Sequence, residues 1–302
     1  MIKHLTHEAI DKTWWDNRVN CCVNRSWYAK SDVLDIVSPN WEALVDDVSG
    51  AIMPLTWRRK FGIDYLFQPY AIQQLGVFSS GPIEPSSSTA FLDSVPQRFR
   101  YVDIWLNEHM GTLGIDGGLQ NVNQTLRPIS SIESLREAYD KGHRRNLKKV
   151  LPPDTEWTSD MNAATFVELF ERTTAARFGG LRPMDRRILL ALIAHAIERS
   201  EANIIGLRSQ GSTIAAACFI DRDGRSVLLK SASTSAGTEH CAIFHIVDNW
   251  IAKNAGTDKV LDFAGSNHAG TRRFNEGFGG STSLYLNVRR NRLPLWLKWM
   301  KR

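Results

Sequence analysis

The 302-residue chain is 43% hydrophobic, 10% aromatic and 23% charged, which excludes a mostly disordered or collagen-like polymer and leaves room for about two domains. Its net charge of +5 is unevenly placed: no acidic residue follows Glu276, yet Arg289, Arg290, Arg292, Lys298, Lys301 and Arg302 do. No stretch approaches the ~20 apolar residues of a membrane span.

In chain order, residues 8–20 read as a helix with Ile10, Trp14 and Val19 near one stripe. Strands are expected at Asp32 to Val37, Gly50 to Trp57 and Ile63 to Phe67. Ser86 to Ser88 should cap a helix reaching about Phe99. Strands follow at Tyr101 to Leu106 and Val122 to Ile129. Ser130 and Ser131 then cap a helix running to about Val150, with Glu133 favourably placed in its first turn. Pro152-Pro153 breaks the chain, so the expected domains are 1–150 and 151–302. In the second half, helices are expected around Phe166 to Thr173 and Ile188 to Ile197. Strands follow at Asn203 to Leu207, Thr213 to Ile220 and Ser226 to Ser231, with hairpin chemistry at Gln210-Gly211 and Asp223-Gly224. A helix from about Glu239 to Asn254, a strand at Lys259 to Phe263, a short helix at Gly270 to Glu276 and a strand at Ser283 to Arg289 complete the chain. The two halves repeat one order of elements, which predicts two copies of an α/β module with a mixed sheet and helices on its faces.

There is no GxSxG, Walker A, HExxH or GxGxxG motif, which argues against elbow hydrolases, nucleoside triphosphatases, zincins and dinucleotide oxidoreductases. The four cysteines, Cys21, Cys22, Cys218 and Cys241, form no CxxC and no disulfide framework, which points to a reducing, cytoplasmic setting. The first residues, with His4, His7, Glu8 and Asp11, do not read as a signal peptide. Cys241 with His240 and His245 could be half a metal site, but one small core residue beside two singly satisfied histidines explains them better, and no metal is expected.

The segment Ser231 to Thr238 joins a strand to a helix through small side chains, so a ligand can approach its main chain. It suits a phosphate or simply a capped connection. Asp262 lies at the end of the next strand and Ser266, Asn267 and His268 follow it, where polar residues often face a site. Tyr70, Gln73 and Gln74 sit in a polar-aromatic stretch that could read a substrate or fill an interface. Lys141, Arg144, Arg145, Lys148 and Lys149 form a basic cluster open to an anionic partner. The tail, Leu293 to Arg302, mixes Trp and Leu with cations, a composition suited to an anionic membrane surface.

A strand (Ser226–Ser231), a small-residue loop (Ser233–Thr238), a strand (Lys259–Phe263), then Asn267, Gly270, Phe274 and Gly277-Phe278 together resemble the GNAT acyltransferase superfamily. Two such modules in tandem resemble its Fem-type branch, as do Trp41 to Val45, Met53 to Trp57, Gln73 to Gly76, Leu261 to Phe263 and the basic run Arg144 to Lys149. The loop lacks the usual arginine of the GNAT pyrophosphate motif. This resemblance implies an α/β (α+β) tandem fold and transfer of an acyl or aminoacyl group to an amine, with the site in the second module. Coenzyme A or acyl-CoA would be the donor; in the Fem-type alternative, aminoacyl-tRNA would be held by 141–149. The acceptor would be a small-molecule or lipid-linked amine, and a degenerate, non-catalytic binding protein is the rival. On this reading, main-chain N–H groups at Ser231 to Ser233 polarise the acyl carbonyl. Ser235, Ala236, Gly237 and Thr238, with Asn267, hold the donor, and Asp262 or His268, with Ser266, carry the proton chemistry. Lys230 and Arg273, with Tyr70, Gln73 and Gln74, bind the substrate.

Overall fold

The computed structural model describes residues 1–111, 118–265 and 267–293. The chain folds as two compact units, Met1–Val122 with Ser283–Arg302, and Asn123–Thr282. The break expected at Pro152-Pro153 therefore lies inside the second unit, and the last strand returns to the first.

The first unit opens with β1 (Ile2–Leu5), α1 (Lys12–Cys21) and α2 (Ser31–Val37). The strand expected at Asp32 to Val37 is thus a helix. Asp16 holds its first residue, accepting from Ser31 N at 2.8 Å and from Ser31 Oγ at 2.7 Å. Val33, Leu34 and Val37 are buried, and their spacing is helical. Strands β2 (Glu42–Asp46) and β3 (Ile52–Leu55) form a three-stranded antiparallel sheet with β1. A second group of strands is β4 (Trp57–Lys60), β5 (Ile63–Phe67) and β6 (Phe99–Trp105). The crossover helix α3 (Pro85–Asp93) joins the parallel strands β5 and β6. Glu84 is its N-cap and Pro85 its first residue, so Ser86 to Ser88 lie inside the helix instead of capping it. Leu44, Met53, Leu66, Phe91, Phe99 and Val288 belong to this unit's core.

The chain passes into the second unit within β7 (Leu119–Leu126), at Asn123, and that unit holds α4 (Ile132–Glu137), α5 (Lys141–Asn146), β8 (Glu156–Thr158), α6 (Ala163–Arg172) and α7 (Pro183–Glu198). Ser131 caps α4 by accepting from Ser134 N, as expected. The single helix expected to Val150 is two short ones, because Asp140 accepts from His143 N and starts a new helix. His143 enters an aromatic cluster with Phe244 and Phe278. It leaves no room for a side chain at Gly277, where a Cβ would lie 2.0 Å from the imidazole.

The antiparallel strands β9 (Ala202–Ser209), β10 (Ser212–Arg222) and β11 (Arg225–Ser233) are joined by the expected tight turns. Gln210, Gly211, Asp223 and Gly224 all take positive φ there. After α8 (Ser235–Glu239), Cys241 breaks the helix at φ 53, and α9 (Ala242–Asn254) begins. The parallel strand β12 (Val260–Asp262) and α10 (Ala269–Glu276) follow. Ala215, Ala217 and Phe219 of β10 face α9, with Ile246, Val247, Trp250 and Ile251 in the same core. Alternate residues point the other way, and α6 packs against β11 and α7 against β9. The strand order is β7-β12-β11-β10-β9-β8. The final strand, β13 (Ser281–Asn291), pairs antiparallel with β6 of the first unit. Each unit thus carries one parallel strand pair joined by a crossover helix, within a mixed sheet.

Candidate functional site

The two parallel pairs differ. In the first unit, β5 pairs with β6 from Asp64 through Phe67. Leu75 then takes up the same direction by bridging to Leu106, and Gln68 Oε1 accepts from Trp105 N at 2.9 Å. In the second unit, β11 pairs with β12 only at Arg225, Ser226 and Val227. Beyond Val227 no described strand pairs with that edge of β11, so the strands part into a wedge.

The register with β10 skips Leu229, a bulge of the kind that re-aims backbone next to active sites. Past the bulge, Ser231, Ala232 and Ser233 pair with Ala217, Ala216 and Ala215 without interruption. Thr234 N donates to Ile214 O of β10 at 2.9 Å. Successive backbone groups on a strand point to opposite sides. Ser231 and Ser233 therefore turn their N–H and C=O groups away from β10, into the wedge. Ala232 turns its own toward β10. Two donors thus project into the wedge, spaced along one strand.

Small side chains keep the mouth of the wedge open. Thr234 caps α8 by accepting from Gly237 N at 3.2 Å. A Cβ on Gly237 would meet Ile214 O at 2.2 Å, so only glycine lets the loop lie against β10. Thr238 Oγ1 lies 3.3 Å from Ser233 Oγ and donates to Thr234 O. Ser235 and Ala236 are exposed.

The cation missing from the loop's own sequence comes from another element. Arg177, in the 3-10 turn Ala175–Phe178, directs Nη2 to Ser233 O at 3.3 Å and to Thr238 Oγ1 at 3.4 Å. The next residue, Phe178, packs edge-on against His268, with ring centroids 5.1 Å apart. One turn therefore ties the loop to the N-cap of α10. Sequence reading missed Arg177 because it belongs to no motif; an arginine beside the exposed Phe178-Gly179-Gly180 was the available signal.

Lys230 follows the bulge, with Nζ 5.9 Å from the Phe170 ring of α6. Desolvation pushes its ammonium down to about 8. Asn267, His268 and Arg273 are exposed at the start of α10 and along it, and Ser266 lies outside the described residues.

Asp262 is placed differently from the expectation. It is 2% exposed, its Oδ2 lies 2.6 Å from Arg225 Nη2, and its Oδ1 accepts from Ala264 N. It sits in register with Val227 at the closed end of the wedge, roughly 13 Å along β11 from Ser231. Tyr70, Gln73 and Gln74 belong to the first unit. Gln74 Oε1 accepts from Glu108 N, and both glutamines are buried.

The histidines beside Cys241 strap the chain after α5: His240 Nδ1 donates to Val150 O at 2.9 Å and His245 Nε2 to Lys149 O at 3.0 Å. Among the described residues no group of three His, Cys, Asp or Glu side chains could hold a metal ion. No described helix is long and apolar enough to cross a membrane.

No protein-family model and no curated protein matches the sequence. Solved structures do match the fold. FemX aligns at TM-score 0.67 and 12% identity over 99% of this chain and 100% of its own. A tandem GNAT protein from the clavulanic acid biosynthesis pathway aligns at TM-score 0.52 and 9% identity, over 96% of this chain and 98% of its own. A protein of Agrobacterium fabrum, described as the C-terminal DUF2156 domain of a lysylphosphatidylglycerol synthetase, aligns at TM-score 0.51 and 10% identity over 96% of both chains. The fold is GNAT-like and of the Fem type.

Proposed function

We propose that this protein is an N-acyltransferase that takes an acyl or aminoacyl group from a thioester or ester donor and delivers it to an amine. The observation that carries the reading is the wedge between β11 and β12. There the Ser231 and Ser233 N–H groups face an edge that no described strand occupies. The tandem GNAT-like, Fem-type fold supports the same reading.

An acyl donor bound along β11 would supply an activated carbonyl. The Ser231 and Ser233 N–H groups would polarise that carbonyl and stabilise the negative charge that grows on its oxygen. Arg177, with the exposed Ser235, Ala236 and Thr238, would hold the donor's phosphate. Gly237 keeps this loop against β10. His268, tied to the same turn through Phe178, would take the amine proton, directly or through water. Lys230 and Arg273 would meet an anionic group of the substrate. Asp262, paired with Arg225, serves the strand end and not proton transfer.

The donor is coenzyme A-linked or RNA-linked, and both carry phosphate. The second option is favoured by Lys141, Arg145 and Lys148, which are exposed and have no carboxylate partner among the described residues. Thermal unfolding in excess coenzyme A, acetyl-CoA and longer acyl-CoAs separates the two. Ligand at ~100 times its dissociation constant adds about 2.7 kcal/mol. A shift graded by acyl chain selects acyl-CoA. No shift, with RNA binding that falls steeply with salt and weakens in Arg145→Gln/Lys148→Gln, selects the aminoacyl ester. Neither response, together with no acylated amine when donor and amine acceptors are incubated with the protein, overturns the transferase reading.

A further inference from the structure

We propose that one end of the first unit's β4-β5-β6-β13 strand group is a docking surface for an anionic lipid bilayer, a role independent of the transferase reading. Three features meet there. The β4–β5 hairpin turns at Phe61-Gly62, between the paired residues Lys60 and Ile63. Strand β6 starts beside it, with Phe99 in register with Asp64. Strand β13 ends there, with Asn291 opposite Tyr101 and Arg292 N donating to Arg100 O at 2.8 Å.

The hairpin tip presents an aromatic ring to solvent at a conformational cost. Phe61 is 76% exposed and sits at φ 50, where such turns favour Asn, Asp or Gly. Nothing in the unit's core gains from that placement. Lys60 brings Nζ to 5.3 Å from the ring, so an apolar wedge and a cation point outward together.

Arg100 and Arg292 lie directly opposite each other across β6 and β13, an arrangement that repels. Nearby acids are already engaged. Asp64 binds Arg59 and Arg98, Asp103 binds Arg289, and Asp93 binds Arg290. Lys60, Arg100 and Arg292 have no carboxylate partner among the described residues. An anionic surface would relieve the repulsion that the fold leaves in place.

A bilayer fits better than a nucleic acid because the cations are coupled to apolar groups. Besides Phe61, the chain leaves this same end at Leu293 into the sequence Pro-Leu-Trp-Leu-Lys-Trp-Met-Lys-Arg. Its structure lies outside the described residues, but its composition is that of an interfacial segment. Tryptophan and phenylalanine settle at headgroup depth, while lysine and arginine meet anionic headgroups.

The test is co-sedimentation of the full chain with vesicles of phosphatidylcholine alone and of phosphatidylcholine mixed with phosphatidylglycerol. Binding is expected to the mixed vesicles only, and it should weaken as salt rises. At about 1 kcal/mol per basic residue at an anionic surface, Arg100→Gln/Arg292→Gln should weaken it about thirty-fold. This variant loses a cross-strand repulsion, so its melting temperature should hold or rise. Phe61→Asn suits the positive φ and should also hold or raise the melting temperature, while weakening vesicle binding several-fold. The proposal is overturned if wild type ignores the mixed vesicles or binds both kinds equally, or if both variants bind like wild type. It is also overturned if RNA, and not vesicles, binds in a manner that depends on Arg100 and Arg292, which would make this end a nucleic-acid contact.

Discussion

Arg225 brings Nε to 2.8 Å and Nη2 to 2.6 Å of Asp262 Oδ2, across the short stretch where β11 and β12 pair. The ion pair clasps the closed end of the wedge, and the strands separate beyond it. Removing one partner of a buried pair leaves the other uncompensated. The Arg225 side chain is 29% exposed, so water screens part of that loss. Asp262→Asn should therefore lower stability by about 2 kcal/mol while keeping transfer activity within a few-fold. A large fall in turnover at unchanged KM in a still-folded variant would return Asp262 to the chemistry.

Gly237 is the contact that seats the small-residue loop. Its neighbours at 2.2 and 2.9 Å are the carbonyl oxygen and carbon of Ile214, and backbone cannot rotate aside as a side chain can. Gly237→Ala should push the loop off β10, breaking the Thr234 bonds to Ile214 O, at a cost of about 3 kcal/mol. Ser235→Ala, at an exposed position two residues away, should leave the melting temperature within a degree or two. Equal melting temperatures for the two variants would show that the loop can sit elsewhere without penalty.

What could be read from the sequence follows from which physics was local. The turns at Gln210-Gly211 and Asp223-Gly224, the cap at Ser131 and the apolar run of α7 are decided by neighbours in the chain, and each appears close to where it was expected. The helix at Ser31–Val37 was not legible, because β-branched residues suggest a strand and Asp16, which starts the helix, is fifteen positions away. Strand β2 was missed because its pairing with β1 and β3 is tertiary. The same division holds in the site. The small-residue loop announced itself, whereas Arg177 reaches it from fifty-six residues upstream and only folding reveals the contact. The polar stretch around Gln73 and Gln74 left substrate contact and structural filling equally open in one dimension. In three, Gln68 and Gln74 hold backbone N–H groups of Trp105 and Glu108.

His245 is half-buried beside the chain that follows α5, and desolvation lowers its pKa from the usual 6.5, outweighing the bond to Lys149 O and the charge of Asp248, which both oppose the shift. A histidine depressed in the folded state is protonated first in the unfolded chain. Stability is therefore retained above pH 6.5 and lost as pH falls through the folded-state value. The strap on Lys149 O should loosen in that window. Protection of amides 147–151, corrected for the intrinsic pH dependence of exchange, should fall in wild type as pH drops below 6.5, and His245→Gln should flatten that dependence. Identical profiles in the two proteins would assign the acid sensitivity to other groups.

Lys230 gives the opposite end of the pH scale. Its ammonium sits near 8 in the folded protein against 10.5 in the unfolded chain, because burial beside Phe170 penalises the charge. Between those values the unfolded chain holds a proton that the folded one has released, so wild-type stability should climb from pH 8 to pH 10.5 and be flat below pH 8. Lys230→Met keeps the volume and removes the charge, so it should be more stable than wild type at pH 7, and the gap should close as pH approaches 10.5. Urea midpoints at pH 7, 9 and 10.5 measure this directly. If Lys230 meets an anionic substrate group, the same variant should raise KM for the acceptor more than it lowers kcat. A Met variant less stable than wild type at pH 7 would mean that the contacts of the ammonium outweigh its desolvation, and would place Lys230 in the framework of the wedge instead of its chemistry.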